Sequence, residues 1–150
     1  MSQSLAKLIT HLTFSTKLRR RLITPEVRAE LNSYLRGILK KLASPAIEIN
    51  SVADHMHVLF CLSRKRSLAD VVEQVKKGSS KWIKTKAPAL AGFYWQAGYG
   101  AFSVSQSNVP VVRNYIANQE KHHRKMTFQE EFRALLTKHD IEYDERYVWD

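Results

Sequence analysis

The sequence contains a single cysteine, Cys61, so it cannot form an internal disulfide framework, and a reducing cytoplasm is the expected location. It has no apolar run near the roughly 20 residues that span a bilayer. Its first residues lack the charged-then-apolar layout of a secretory signal. Proline and glycine are scarce, at four and five among 150 residues. These absences favour one ordinary globular domain over residues 1–150.

Acidic residues are also few, 14 against 24 lysines and arginines, which gives a net charge of +10. The charge is unevenly spread. Residues 127–150 contain seven acidic and three basic side chains, a net charge of −4, so residues 1–126 carry +14. Such a one-sided field suits a polyanion, and nucleic acid is the commonest one in a cell. An anionic membrane surface is the rival partner, but no basic amphipathic helix with exposed aromatics supports it.

Apolar periodicity and turn residues divide the chain into strands and helices. Four segments are predicted strands: Leu5–Thr16, Ile47–Val52, His55–Leu62 and Ala101–Ser105. Helices are predicted from Thr24-Pro25 to about Ala43, Ser67 to about Lys84, Ser107 to about His122, and Thr127 to about Lys138. This order predicts an α+β fold of the ferredoxin-like, split β-α-β type, an antiparallel sheet with helices on one face. A C-terminal helix bearing Tyr115 and one further helix are additions, and the other sheet face is expected to be free for a ligand or a partner subunit.

Two imidazoles are predicted to lie on one side of the third strand. Because side chains alternate along a strand, Met56, Val58 and Phe60 should face the core. His55 and His57 then share the opposite face, about 7 Å apart. Two imidazoles at that separation can converge on one cation, although such a pair on a strand is more often packed or exposed than metal-bound.

Tyr115 and Gln119 stand four residues apart on a predicted helix, so they should share one face. If that helix packs beside the histidine strand, the carbonyl oxygen of Gln119 can complete a metal site with His55 and His57. Three neutral ligands with open positions suit Mg²⁺ or Mn²⁺, which would polarise a phosphodiester oxygen. A nearby cation would also favour the phenolate form of Tyr115 as a nucleophile. Each residue alone is a weak signal, and their joint occurrence carries the hypothesis.

These residues resemble the single-tyrosine HUH transposases encoded by the smallest bacterial insertion sequences, the 200/605 group. The matching features are His55-Met56-His57 and Tyr115 followed by Gln119. Three longer stretches are also similar to the family: residues 11–17, residues 95–104, and residues 122–125 continuing through Tyr147. The resemblance covers nearly the whole chain, so it identifies residues 1–150 as a single HUH transposase domain.

The resemblance implies a metal-dependent DNA transposase in which Tyr115 is the nucleophile and His55, His57 and Gln119 hold Mg²⁺ or Mn²⁺. Family members are dimers that bind hairpins in single-stranded DNA at the ends of an insertion sequence. Their tyrosine becomes linked to a 5′-phosphate and leaves a 3′-hydroxyl, and two such cuts with strand exchange excise or insert the element. The tyrosine helix can complete the active site of the partner subunit. We therefore expect a homodimer, in which the active sites can be completed in trans.

Three other interpretations remain open at the level of sequence. Some relatives are domesticated to act on short palindromic repeats and could share every residue named above. A non-catalytic single-stranded nucleic-acid-binding module is a second alternative, but such sheets normally display aromatics where this one is expected to display histidines. A structural zinc protein is a third, which the single cysteine disfavours.

Basic clusters provide the candidate DNA contacts. Lysines and arginines bind phosphates, and hydroxyls can assist them. The residues chosen are Lys17, Arg19, Arg20, Arg21, Lys76, Lys77, Ser79, Ser80, Lys81 and Lys84. A run of charges is usually only a solvated face, so some of these residues, and not all, are expected to touch DNA.

Overall fold

A computed structural model describes residues 2–123 and 125–150 of the chain. Arg124, which belongs to the last stretch of the family resemblance, lies outside the described residues. Four strands form one antiparallel sheet in the order β2-β3-β1-β4. Their bounds are β1 Leu8–Ser15, β2 Ala46–Ser51, β3 His55–Leu62 and β4 Gly100–Ser103. This strand order and direction are those of the split β-α-β arrangement, which confirms the predicted fold class.

Helices α1 (Pro25–Lys41) and α2 (Leu68–Ile83) connect the strands and cover one face of the sheet. Alternation along the central strands supplies the sheet side of this core, since Leu12, Val58 and Phe60 are fully buried against apolar residues of both helices. Within the described residues, no helix combines the length and apolarity that crossing a membrane requires.

The opposite face of the sheet is also covered, contrary to the expectation that it is free. Helix α3 (Val109–Ala117) packs on it through Ile116, which contacts Ile9 and Leu59. Helix α5 (Phe128–Lys138) packs beside β4 through an aromatic cluster in which Phe102 meets helix residues such as Phe132. The helices of the C-terminal segment have apolar residues at helical spacing. Because α1 and α2 already cover the first face of the sheet, these residues are buried against the second face.

The predicted helix from residue 107 to residue 122 is divided into two. Helix α3 ends at Ala117, and a short α4 spans Gln119–His122. Asn118 between them has φ −102° and ψ 25°, outside the helical region, and its side chain donates a hydrogen bond to the Asn114 carbonyl at 2.8 Å. The amide side chain thus competes with the regular helical pattern at the point where the helix bends.

Candidate metal and tyrosine site

His55 and His57 lie on the sheet face that carries α3 and α5, and both are fully buried. The Nδ1 atom of His55 is 2.7 Å from Oδ1 of Asp54, the residue that precedes it in the chain. A carboxylate accepts the Nδ1 proton, so in the neutral imidazole the lone pair is on Nε2. Burial disfavours the charged imidazole, but Asp54 and Glu131 outweigh burial and raise the pKa of His55.

His57 is oriented by a residue of the neighbouring strand. Its Nδ1 lies 2.7 Å from Nε2 of His11, which is itself only 4% exposed. Burial lowers the pKa of His11 to about 3, with His57 acting in the same direction, so His11 is neutral at pH 7 and can accept the Nδ1 proton of His57. Both histidines of β3 are therefore held through Nδ1, and both direct Nε2 to one place.

The carboxylate of Glu131, on the first turn of α5, occupies that place. Its Oε1 is 2.8 Å from Nε2 of His57 and 3.4 Å from Nε2 of His55. His123, just after α4, joins from the other side, with its Nε2 3.1 Å from Nε2 of His55 and 3.2 Å from Oε2 of Glu131. Burial would raise the pKa of Glu131, but the imidazoles around it, His57 foremost, lower the pKa far below that of an ordinary glutamate.

Neither Glu131 nor His123 was selected as a ligand from the sequence. A signal for Glu131 was present, because it falls within the apolar stripe of its helix, three residues after Phe128 and one before Phe132. A charged residue in such a stripe is buried only when it has partners. Glu131 is 1% exposed, and its partners lie on other elements.

Tyr115, on α3, completes the group, and its phenol donates a hydrogen bond to Oε2 of Glu131. The centroid of its ring is 6.0 Å from that of His57 in the same chain, and the ring stacks on His122 at 4.6 Å. Burial raises the pKa of Tyr115 above its ordinary value, and the Glu131 carboxylate acts in the same direction. These surroundings favour the neutral phenol, and the phenolate expected from the sequence depends on a cation beside it.

Gln119, the third ligand expected from the sequence, is fully buried at the start of α4. Its Nε2 donates to the backbone carbonyl of Tyr115 at 3.3 Å, one turn back in the chain. Its Oε1 is buried without a hydrogen-bond partner. A buried amide oxygen without a partner is costly, and coordination of a cation by this oxygen would remove that cost.

The side chains around His55 and His57 fit a divalent cation. Imidazole nitrogens, a carboxylate and a free amide oxygen are the donor types that such ions use in proteins. The ligand atoms of His55, His57, His123 and Glu131 all lie within 4.8 Å of one another.

The α2 candidates for DNA contacts lie across the sheet from this site, and two of them are used inside the fold. Lys76 donates to the backbone carbonyls of Gln96, Ala97 and Gly98, and burial lowers its pKa to about 8. Ser79 is fully buried and accepts a hydrogen bond from the Trp95 indole at 2.9 Å. The position of Ser79 contradicts the expected DNA contact, because its hydroxyl is not accessible.

The basic cluster that follows β1 is closer to the site. Lys17, Arg20 and Arg21 are exposed, while the Arg19 guanidinium lies over the Trp149 ring. Arg21 lines a polar cleft of about 630 Å³ that also includes Asp54 and His123. The cleft therefore connects this cluster with two residues of the candidate metal site, Asp54 and His123.

A family model and a relative of known identity both relate this chain to transposases. The family model described as "Transposase IS200 like" matches residues 4–119, which end before His123 and Glu131. The chain is 25% identical over 114 residues to the ISDra2 transposase TnpA of Deinococcus radiodurans, which covers 73% of this chain and 81% of that protein.

Two solved structures share the fold. One, the 1.90 Å crystal structure of a protein from Deinococcus radiodurans R1 assigned as a transposase, has a TM-score of 0.62 at 25% identity. The match covers 79% of this chain and 98% of that one. The other, a REP-associated tyrosine transposase bound to a REP hairpin, has a TM-score of 0.59 at 15% identity, covering 82% and 74% of the two chains.

Proposed function

The chain belongs to the family of IS200-like transposases, and from this premise we propose that it cleaves and rejoins single-stranded DNA through Tyr115. The observation that carries the proposal is the meeting of three groups in one chain. The Tyr115 phenol and Nε2 of His57 both contact the Glu131 carboxylate, and Nε2 of His55 lies 3.4 Å from it. A nucleophile beside a set of metal ligands is the arrangement that phosphoryl transfer requires.

We assign His55, His57 and Gln119 to a bound Mg²⁺ or Mn²⁺, in agreement with the sequence hypothesis. The fixed Nδ1 atoms of the two histidines and the unpartnered Oε1 of Gln119 support this assignment. The ion would polarise the phosphodiester and stabilise the charge that develops on it. His11 and Asp54 then act as positioning residues that hold the imidazoles in the required tautomer.

The proposed reaction forms a bond between the Tyr115 oxygen and phosphorus while the bond from phosphorus to O3′ breaks. The phenol loses its proton, and the departing O3′ gains one, so the products are a 5′-phosphotyrosine ester and a free 3′-hydroxyl. Attack of a 3′-hydroxyl on the ester reverses these changes and rejoins a strand without ATP. Burial and Glu131 raise the pKa of the free phenol, so its proton has to be taken up by another group as the bond to phosphorus forms.

We propose that the DNA approaches along the cleft beside Arg21, guided by Lys17, Arg19 and Arg20. The excess of +14 over residues 1–126 supports an electrostatic interface of this kind. The exposed α2 residues Lys77 and Lys81 lie on the other face of the sheet, so they would contact the DNA away from the reacting phosphate. Ser80 and Lys84, joined by a hydrogen bond of 2.9 Å, share that region.

Hairpins at the ends of an insertion sequence are the proposed substrate, and a homodimer is the proposed assembly. Both follow from the family resemblance, and the hairpin-bound structure of similar fold is compatible with the first. His57 and Tyr115 meet within one chain. We therefore expect that each subunit can assemble a site from its own residues.

The test is formation of a covalent protein–DNA adduct. Single-stranded DNA carrying an element end is labelled on the 3′ side of the cut, incubated with the protein and Mn²⁺, and analysed under denaturing conditions. We expect Tyr115→Phe to abolish the adduct while hairpin binding is retained, because the ring remains but the nucleophilic oxygen is lost. Tyr147→Phe, at an exposed tyrosine, is the matched control and should form the adduct normally. An undiminished adduct with Tyr115→Phe would refute the proposed nucleophile.

A further inference from the structure

Two side chains at the centre of the site come from beyond the part of the chain that the family model matches. That match ends at residue 119, whereas His123 follows α4 and Glu131 lies on α5. Glu131 is 1% exposed and belongs to a segment of net charge −4 in an otherwise basic chain. Burying a carboxylate costs free energy because the charge loses its hydration, so a buried carboxylate requires a strongly interacting partner.

Four distances between donor atoms of these residues are close to those expected for ligands around one ion. Two ligands bound at about 2.1 Å lie about 3.0 Å apart at a right angle and about 3.4 Å apart at the tetrahedral angle. Oε1 of Glu131 lies 2.8 Å and 3.4 Å from the Nε2 atoms of His57 and His55. Nε2 of His123 lies 3.1 Å from Nε2 of His55 and 3.2 Å from Oε2 of Glu131.

We propose that Glu131 and His123 are ligands of the catalytic ion, so that the C-terminal segment completes a site of three imidazoles and one carboxylate. This inference rests on the function proposed above and names two further residues for it. The Oε1 atom of Gln119, buried without a hydrogen-bond partner, is a further oxygen donor of a type compatible with this set. The carboxylate removes one unit of the ion's charge and adds a strong ligand, while three imidazoles favour Mn²⁺, Co²⁺ or Zn²⁺ over Mg²⁺.

The same carboxylate connects the ion with the nucleophile. The Tyr115 phenol donates to Oε2 of Glu131, while Oε1 faces the histidines of β3. Glu131 is thus a positioning residue for Tyr115 as well as a ligand. Helix α5 thereby becomes part of the reaction centre.

A rival explanation is that Glu131 occupies the place of the ion and satisfies the imidazoles by direct hydrogen bonds. The two explanations predict opposite effects on metal affinity. If Glu131 is a ligand, removing its charge weakens binding. If it competes with the ion, removing its charge strengthens binding or leaves it unchanged.

The experiment measures Mn²⁺ binding to the metal-stripped full chain without DNA, by calorimetry and by loss of the free-ion electron paramagnetic resonance signal. We expect Glu131→Gln, which keeps the shape and a hydrogen-bond acceptor for Tyr115, to weaken Mn²⁺ binding at least about 10-fold. Glu130→Gln is the matched control. It removes the same charge from the same turn at an exposed position. Glu130 forms a capping box with Thr127, and glutamine is accepted at that position, so affinity should stay within about 2-fold.

A second variant covers the case in which Glu131→Gln does not fold, which circular dichroism would reveal. His123 has 12% of its side chain exposed, so His123→Asn is expected to fold and to weaken Mn²⁺ binding about 10-fold. Unchanged or tighter binding in folded Glu131→Gln, or unchanged binding in His123→Asn, would overturn the assignment of that residue. Wild-type protein that binds no Mn²⁺ would overturn both.

The outcome is separable from that of the proposed function, because no DNA and no cleavage are involved. If Glu131→Gln weakens Mn²⁺ binding but the wild-type protein forms no tyrosine adduct, this inference stands and the proposed transposition chemistry is refuted. If the wild-type protein forms the adduct but Glu131→Gln binds Mn²⁺ equally well, the proposed function stands and the assignment of Glu131 as a ligand is refuted.

Discussion

The central strands and the C-terminal segment contribute to the site in different ways. On β1 and β3, alternation and antiparallel pairing bring His11 and His57 to the same face, two residues apart in register. His123 and Glu131 instead reach the site through tertiary packing of α4 and α5. The comparison shows that the alternation of a strand predicts which of its side chains share a face. Which residues of other elements contact those side chains depends on tertiary packing.

The two regions are also held with different strength. Strand β3 is hydrogen-bonded on both sides, to β1 and β2, and its residues 55–60 are buried. Helix α5 is attached by a small cluster formed by Phe102, Phe128, Phe132 and Leu136, with Trp149 packed against it. Elements with fewer buried contacts open at lower free energy. We therefore expect the C-terminal half of the site to loosen before the histidine strand does.

The largest effect is expected from placing a methyl group between β4 and α5. An added Cβ at Gly100 would lie 2.7 Å from Cε2 and 2.9 Å from Cζ of Phe132, a buried side chain that cannot simply turn away. Gly100→Ala should lower the free energy of unfolding by about 2 kcal/mol. It should also weaken Mn²⁺ binding, because Glu131 adjoins Phe132. Urea denaturation and metal titration measure the two effects.

Gly92→Ala is the control for this prediction, since an added Cβ there meets no atom within 4 Å. Its free energy of unfolding should change by less than about 0.5 kcal/mol. Equal stability of the two variants would mean that α5 is not packed tightly on β4, and the comparison between the two regions would lose its basis.

The difference between the regions also explains what could be predicted from the sequence. The shared face of His55 and His57 followed from strand alternation, and the helix start predicted at Thr127 is confirmed, with a capping box formed by reciprocal hydrogen bonds of Thr127 and Glu130. Both depend on neighbours within a few residues. The four strands and the two connecting helices were likewise recognisable from local periodicity.

What could not be predicted depends on contacts between distant elements. Glu131 meets His57 across 74 residues of sequence, and His11 meets His57 across 46. No local pattern encodes these pairs, so the sequence alone assigns no role to His11 and shows Glu131 only as one of the acidic residues of the C-terminal segment. The carboxylate that faces the Tyr115 phenol also comes from a distant element, and no local pattern around Tyr115 indicates it.

A smaller effect is expected at the bond between the two central strands. His11→Phe keeps a ring in the sheet but removes the acceptor for the Nδ1 proton of His57, so the imidazole is no longer held in one tautomer. We expect Mn²⁺ affinity to fall about 10-fold, as is usual for such supporting residues. His139→Phe is the control, because His139 stacks on Phe102 and bonds to a backbone carbonyl away from the ligands. Equal affinity of the two variants would show that His11 does not orient His57.

The smallest effect is expected at the helix caps, and here two positions allow a direct comparison. Thr127 caps α5 and Ser67 caps α2, each accepting a hydrogen bond from a backbone amide. Replacing either with alanine should cost about 1 kcal/mol of stability, measured by thermal denaturation. Only Thr127→Ala should also weaken Mn²⁺ binding, by about 2-fold, because Glu131 lies on the turn that this cap stabilises. A similar loss of affinity with Ser67→Ala would mean that metal binding follows global stability and not the local order of α5.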